Sequence, residues 1–168
     1  MRFKNISFGA TSAVITSLAI IVGLSKTSNA KISILSSLII IAIADNVSDS
    51  FGIHVHQESQ NEKASEVRKT TIINFLTRLF AVFLFILFVT FLPMVYALIF
   101  SIIFGLSVIA FLSYFIAKEQ KVSPFVAMSQ HLALAILVMV GSEHNNADEI
   151  SLVVFFHLSN SFFICPDV

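Results

Sequence analysis

Little in this chain carries charge, and that scarcity decides its class. Lys, Arg, Asp and Glu make up 12% of the 168 residues, about half the share of an ordinary soluble domain. Ten basic residues balance ten acidic ones, so no field of one sign is available to attract nucleic acid. A single cysteine, Cys165, excludes an internal disulfide and a thiolate cluster for zinc. Tryptophan is absent, yet there are 18 phenylalanines. Hydrophobic residues reach 57% and the mean hydropathy is +0.91. The chain is long enough for four to six membrane spans and too short for an added soluble catalytic domain.

A membrane helix needs about 20 mostly apolar residues. Five stretches meet this: 6–24, 32–51, 72–92, 94–117 and a shorter 125–141. Pro93 alone separates the third from the fourth, which fits a tight hairpin between helices. The fold class expected is therefore all-α: a polytopic membrane helical bundle of about five transmembrane helices, forming one membrane domain over 1–168. No strong stop separates Ile32 from Glu66, so a polar cytoplasmic helix is expected over about 52–70. A tail, 142–168, follows the last span; its apolar part, 150–164, is short for a crossing.

Basic residues set the expected orientation. Arg2, Lys4, Lys63, Arg68, Lys69, Arg78, Lys118 and Lys121 fall on one side of this topology, and only Lys26 and Lys31 on the other. Cytoplasmic loops hold the excess of positive charge, so the amino terminus is expected inside and the tail outside. Glu143, Asp148 and Glu149 then face out with no basic residue near them. The expected location is an integral position in a cell (inner) membrane. A second reading of the first 30 residues is a signal peptide, since Arg2 and Lys4, an apolar run and Ser28-Asn29-Ala30 follow that order.

Small residues recur along the first span: Gly9, Ser12, Ala13, Thr16, Ala19 and Gly23. In lipid such a stripe lets helices approach closely. It serves either packing within one subunit or a dimer seam, and both uses favour keeping this helix in the mature protein.

The second span carries the chemistry. Asp45 lies about 20 Å along a helix that starts at Ile32, and Asp49 about 26 Å. In a hydrocarbon core roughly 30 Å thick, these depths fall in the inner half and near the inner boundary. Ionisable side chains at such depth mark a pathway or a buried partner. Spacings of four and seven put Asp45, Asp49 and His56 near one helical face, with Gly52 leaving room beside them. Glu58, Glu62 and Glu66 follow at four-residue steps on the expected polar helix. Carboxylates with imidazole suit divalent iron, manganese, cobalt or zinc. The candidate metal set is therefore Asp45, Asp49, His56, Glu58, Glu62 and Glu66. Each has a plainer use: Asp49 as a solvated interfacial residue, the glutamates as a water-facing stripe paired with Lys63 and Lys69. Asp45 needs a buried partner, such as Asn46 or a serine on another span. No Ser-His-Asp grouping, phosphate loop or cofactor motif stands out, so no enzyme is expected.

Two segments carry a family resemblance. FGATSAVITSLAIIVGLS at Phe8–Ser25 resembles the first helix of the vacuolar iron transporter (VIT/CCC1) family, and ADNVSDSFGIHVHQES at Ala44–Ser59 is similar to the end of its second helix. Five spans, the polar helix, the proline between spans three and four and the inside amino terminus are also similar. Gly52 matches a family glycine. The family's first-helix aspartate falls on Ser12 and its next glycine on Ala13; its second-helix methionine falls on Asp49 and its glutamate on Ile53. The resemblance implies a homodimer in the lipid bilayer that moves Fe²⁺ or Mn²⁺, in possible exchange for protons, with no permanently bound cofactor. On that reading Glu58, Glu62 and Glu66 collect metal from the cytoplasm. Metal then passes to Asp49 and Asp45 in a pathway lined by Ser12, Thr16, Ser48 and Gly52. The alternative is a membrane scaffold or metal-sensing protein that binds without flux.

Overall fold

The computed structural model describes residues 3–144, with side chains from Gly9 to Glu143 except Gln120. The apolar tail 150–164, Asp148, Glu149 and Cys165 lie outside the described residues. Among those described, all regular structure is helical: α1 (Phe3–Leu24), α2 (Ala30–Ile40), a π-helical turn (Ile41–Asp45), α3 (Asn46–Ser59), α4 (Ala64–Phe91), α5 (Met94–Gln120) and α6 (Pro124–His144). The π-turn joins α2 to α3 in one continuous 30-residue helix. Four helical stretches are long and apolar enough to cross a membrane: Ala30–Ser59, Ala64–Phe91, Met94–Glu119 and Pro124–Glu143. The protein is an all-α integral membrane bundle, as its composition predicts.

α1 occupies the centre and packs against α2, α4, α5 and α6. Its side chains are buried around the whole circumference: Val14, Leu18 and Ile21 are within the core, and so are Ala13, Thr16 and Ala19. The small residues explain how one helix touches four. A Cβ on Gly9 would collide with Asn74 Oδ1 on α4, and one on Gly23 would fall 3.2 Å from Ser142 Cβ on α6. The stripe is thus filled from within the same chain, and this face of α1 is closed to a second copy. Removal of residues 1–30 would empty the middle of the bundle.

Large apolar side chains cover the outside: Ile39, Ile43, Val47 and Phe51 on the second helix, Leu76, Phe80 and Phe83 on α4, and Phe100, Ile103 and Phe111 on α5. In a water-soluble protein such a surface would drive association; here it is the face offered to lipid. Phe85, Phe88 and Phe104 join α4 to α5 through edge-to-face contacts with centroids 5.4–6.4 Å apart.

The connections are short. Leu92 and Pro93 are extended, and Pro93 starts α5, giving the tight hairpin expected from the sequence. Lys121 takes the left-handed conformation with φ 59°, the Val122 N–H bonds the Ala117 carbonyl at 3.1 Å, and Pro124 opens α6.

The expected polar helix over 52–70 is corrected. α3 ends at Ser59, Asn61 takes φ 55°, and the Glu62 N–H turns back to the Gln57 carbonyl at 3.3 Å. This is a left-handed helix stop, and asparagine tolerates it better than most residues. Residues 64–70 are instead the first turns of α4. Arg78, counted above among the cytoplasmic charges, lies about 21 Å into α4 and is buried.

The lone glycines offer a test of this packing. A Cβ on Gly105 of α5 would come 2.7 Å from Leu18 Cδ1, whereas one on Gly52 meets nothing within 4 Å. Gly105→Ala is expected to destabilise by about 1–3 kcal/mol through overpacking. Gly52→Ala is expected to be neutral or to stabilise by up to about 1 kcal/mol, since alanine favours a helix more. Thermal unfolding of the two variants in detergent checks the contrast; equal midpoints would contradict the α1–α5 contact.

Candidate functional site

The polar interior of the bundle gathers on one seam, between α3 and α4. Ile34, Leu38, Ala42, Asn46 and Ser50 recur at every fourth residue and all are buried. A straight α-helix would rotate such a stripe by roughly 160° over those 16 residues. The π-turn at Ile41–Asp45 holds more residues per turn and takes back part of that rotation. It therefore keeps Asn46 and Ser50 turned toward α4 at the level of Asp45 and Asp49.

Arg78 meets them there. Its guanidinium Nη2 donates a hydrogen bond to Asp45 Oδ2 at 2.6 Å, and Nη1 lies 2.5 Å from Asp49 Oδ2. The arginine side chain is 1% exposed, the carboxylates 21% and 16%. Two aspartates against one arginine leave a formal charge of −1. Val47 and Phe51 on α3 and Leu76 and Phe80 on α4 are exposed on the same turns, so the ion cluster lies at the depth of the lipid-facing band. A planar, permanently charged guanidinium suits this role, because it bridges two carboxylates at fixed geometry and is weakly hydrated.

Amides complete the seam. Asn46 Nδ2 donates to the Phe75 carbonyl at 3.0 Å, and Asn74 Nδ2 to Ser50 Oγ at 3.2 Å. Among the described residues, Asn46 Oδ1, Asn74 Oδ1 and Arg78 Nε are buried without a hydrogen-bond partner. The Asn46 amide nitrogen is the donor, since a carbonyl can only accept. Gly9 of α1 lies against Asn74 and the Arg78 stem, which is how the central helix reaches the cluster.

The sequence-derived metal set is brought together only in part. Asp45 and Asp49 share one partner, and that partner is a cation. Glu58 lies on α3, Glu62 in the turn and Glu66 in the first turn of α4, so the expected four-residue glutamate stripe on one helix does not exist. Glu58 and Glu66 are exposed, and so is His56, whose Nε2 lies 3.2 Å from Gln60 Nε2. His54 is turned to α4, with Nδ1 3.2 Å from Thr71 Oγ1. Among the described residues, no three of His, Cys, Asp and Glu converge as a metal site.

The expected pathway residues separate as well. Ser48 and Gly52 are exposed on the outside of α3, Thr16 is buried in the core, and Ser12 is half-buried on α1. Asp45 and Asp49 face α4, not the first span. The view of Glu143 as remote from basic residues is also corrected, because Lys26 Nζ lies 2.5 Å from Glu143 Oε1. Lys31 Nζ bonds the Thr90 carbonyl at 2.9 Å, near the end of α4.

Two signals in the sequence point to what was missed. Arg78 stands within an otherwise apolar stretch, where a loop position would be unusual. Asn74 precedes it by one helical turn, so both fall on one face.

No family model, curated protein or solved structure matches this chain.

Breaking the cluster from one side is expected to cost far more than dissolving it. Arg78→Leu leaves two carboxylates uncompensated and should destabilise by about 3–5 kcal/mol. Combining it with Asp45→Asn and Asp49→Asn should recover most of that loss. A thermal-unfolding cycle over these variants in detergent measures the coupling, and strictly additive effects would mean that the ion pairs are not formed.

Proposed function

We propose that this protein is a membrane transporter for a cation, with Asp45 and Asp49 as the cation-handling pair. The observation that carries the reading is a net negative ion cluster at lipid depth, on a seam between two spans. Ionisable groups in that position are costly, roughly 2.5–3.5 kcal/mol each on insertion scales, and such groups mark substrate and ion pathways in membrane proteins. The π-turn ending at Asp45 supports the same reading, since such turns are frequent at functional sites. The cargo is Fe²⁺ or Mn²⁺, the divalent ions named by the resemblance to the vacuolar iron transporter family. The membrane is a cell (inner) membrane with the α1 amino terminus inside. Seven basic residues remain on that side without Arg78 (eight minus one), against two on the other. His56, Glu58, Glu62 and Glu66 contribute at most a loose acidic and imidazole-bearing mouth at the α3–α4 turn. A homodimer would use a surface other than the filled stripe of α1.

A second reading is favoured by one specific observation: both carboxylates already hold Arg78. In a scaffold protein the cluster would be an internal tie between α3 and α4, with no ion moving.

The two readings separate in reconstituted liposomes. The transporter reading expects uptake of Mn²⁺ or Fe²⁺ by the wild-type protein and at least about a tenfold loss in Asp45→Asn/Asp49→Asn, the scale of losing a metal-binding group. Absence of flux from correctly folded wild-type protein, or equal flux in both proteins, would leave the scaffold.

A further inference from the structure

The two ends of the bundle hold their basic residues differently. At the outer end both lysines are engaged. Lys26 Nζ lies 2.5 Å from Glu143 Oε1, and Lys31 Nζ bonds the Thr90 carbonyl at 2.9 Å and the Leu92 carbonyl at 3.5 Å. At the other end Lys63, Arg68, Lys69, Lys118 and Lys121 are all exposed, and among the described residues none of them makes an ion pair. Three of these five also continue the lipid-facing surface. At about 100° per residue, Arg68 falls on the α4 face of Ile72, Leu76, Leu79 and Phe83, with Lys69 at its edge beside Phe80; these apolar side chains are all exposed. Lys118 falls on the α5 face of Phe100, Phe111 and Tyr114, which are exposed as well. The nearest acids on these helices are turned aside. Glu66 stands about 160° round α4 from Arg68, and Glu119 about 100° round α5 from Lys118.

Depth agrees between the two helices. Counted from the hairpin at Leu92 and Pro93, Arg68 lies about 36 Å along α4 and Lys118 about 38 Å along α5, at 1.5 Å per residue. A hydrocarbon core is roughly 30 Å thick. Both charges therefore stand just past its edge, at one level, where headgroup phosphates begin. Long basic side chains lay their stems on apolar surface and hold the charged end in the polar layer. A guanidinium matches two phosphate oxygens, and an ammonium acts as a point charge.

We propose that Arg68 and Lys69 on α4 and Lys118 on α5 form a rim that binds the headgroups of anionic phospholipids. Position and charge select this occupant. Lipid chains cover the apolar stripes of α4 and α5, so their phosphates arrive at the three bases, and no carboxylate of the described residues is paired with them. A zwitterionic headgroup brings its own cation to the same level, whereas an anionic one leaves its phosphate charge for the protein. The outer rim has no such capacity, because Lys26 and Lys31 are taken up within the chain. This surface stands apart from the Asp45–Asp49–Arg78 cluster and does not depend on the transport reading.

The full-length protein would be reconstituted into bilayers of equal parts phosphatidylglycerol and phosphatidylcholine, re-extracted in mild detergent, and its retained lipid counted by mass spectrometry. A basic residue near an anionic membrane surface contributes about fivefold to partition. The wild type is expected to retain phosphatidylglycerol about fivefold over phosphatidylcholine, and Arg68→Gln/Lys69→Gln/Lys118→Gln to retain the two nearly equally. Lys26→Gln/Lys31→Gln is expected to keep the wild-type preference. In about 1 M salt, where screening reaches about 3 Å, the wild type is expected to lose most of its preference; this arm needs no variant to fold. No preference in the wild type, or an unchanged preference in the triple variant, overturns the proposal. So does an equal loss in Lys26→Gln/Lys31→Gln, which would mean that overall charge and not this rim selects the lipid. A triple variant that alters only the oligomeric mass would make the rim a contact between copies, and the lipid assignment would fall.

Discussion

A guanidinium held between two carboxylates at lipid depth governs the rest of this bundle. Charged groups cannot stay in hydrocarbon unpaired, so once Asp45 and Asp49 lie on the second helix, a partner has to come from another span. Arg78 supplies it from α4, and α3 and α4 are thereby fixed in register. The amide pairs beside them, Asn46 to the Phe75 carbonyl and Asn74 to Ser50, belong to the same seam. The π-turn is the backbone's share, because it turns a four-residue stripe that would otherwise drift away from α4.

α1 meets a different constraint. A helix surrounded by four others has no lipid face, and its neighbours can approach only where side chains are small. Gly9 and Gly23 on α1, and Gly105 on α5 facing Leu18, are the points where this is sharpest. The contact of Gly9 with Asn74 and Arg78 links the two constraints, so that the packing of the central helix and the seating of the ion cluster depend on one another.

Charge at the cluster is asymmetric, and so is its satisfaction. Four buried polar atoms of the seam, Asn46 Oδ1, Asn74 Oδ1, Arg78 Nε and Arg78 Nη1, have no hydrogen-bond partner among the described residues. Buried polar groups are rarely left so. Their concentration at a seam with ions on both helices sets this region apart from the apolar α4–α5 contact, where phenylalanines fill the space.

Composition and hydropathy alone determined that this is an all-helical membrane bundle, and roughly where its spans lie, because a span must satisfy its own backbone and cover itself with apolar side chains. Pro93 fixed the hairpin for a similarly local reason, the loss of a helical N–H. The depth of Asp45 and Asp49 was legible too, as a count of residues from the start of a helix. Their partner was not, since pairing is a matter of which helix faces which. Arg78 falls within the expected 72–92 span yet counts by charge with the cytoplasmic residues, and only the packing of α4 on α3 shows it buried against Asp45 and Asp49. The helix stop at Asn61 was open to a local reading, while the π-turn left no mark in the residue types. Whether acids on one helix meet a metal, water or an arginine is decided only when the bundle closes, because a charge at lipid depth takes the nearest opposite charge that tertiary packing brings to it.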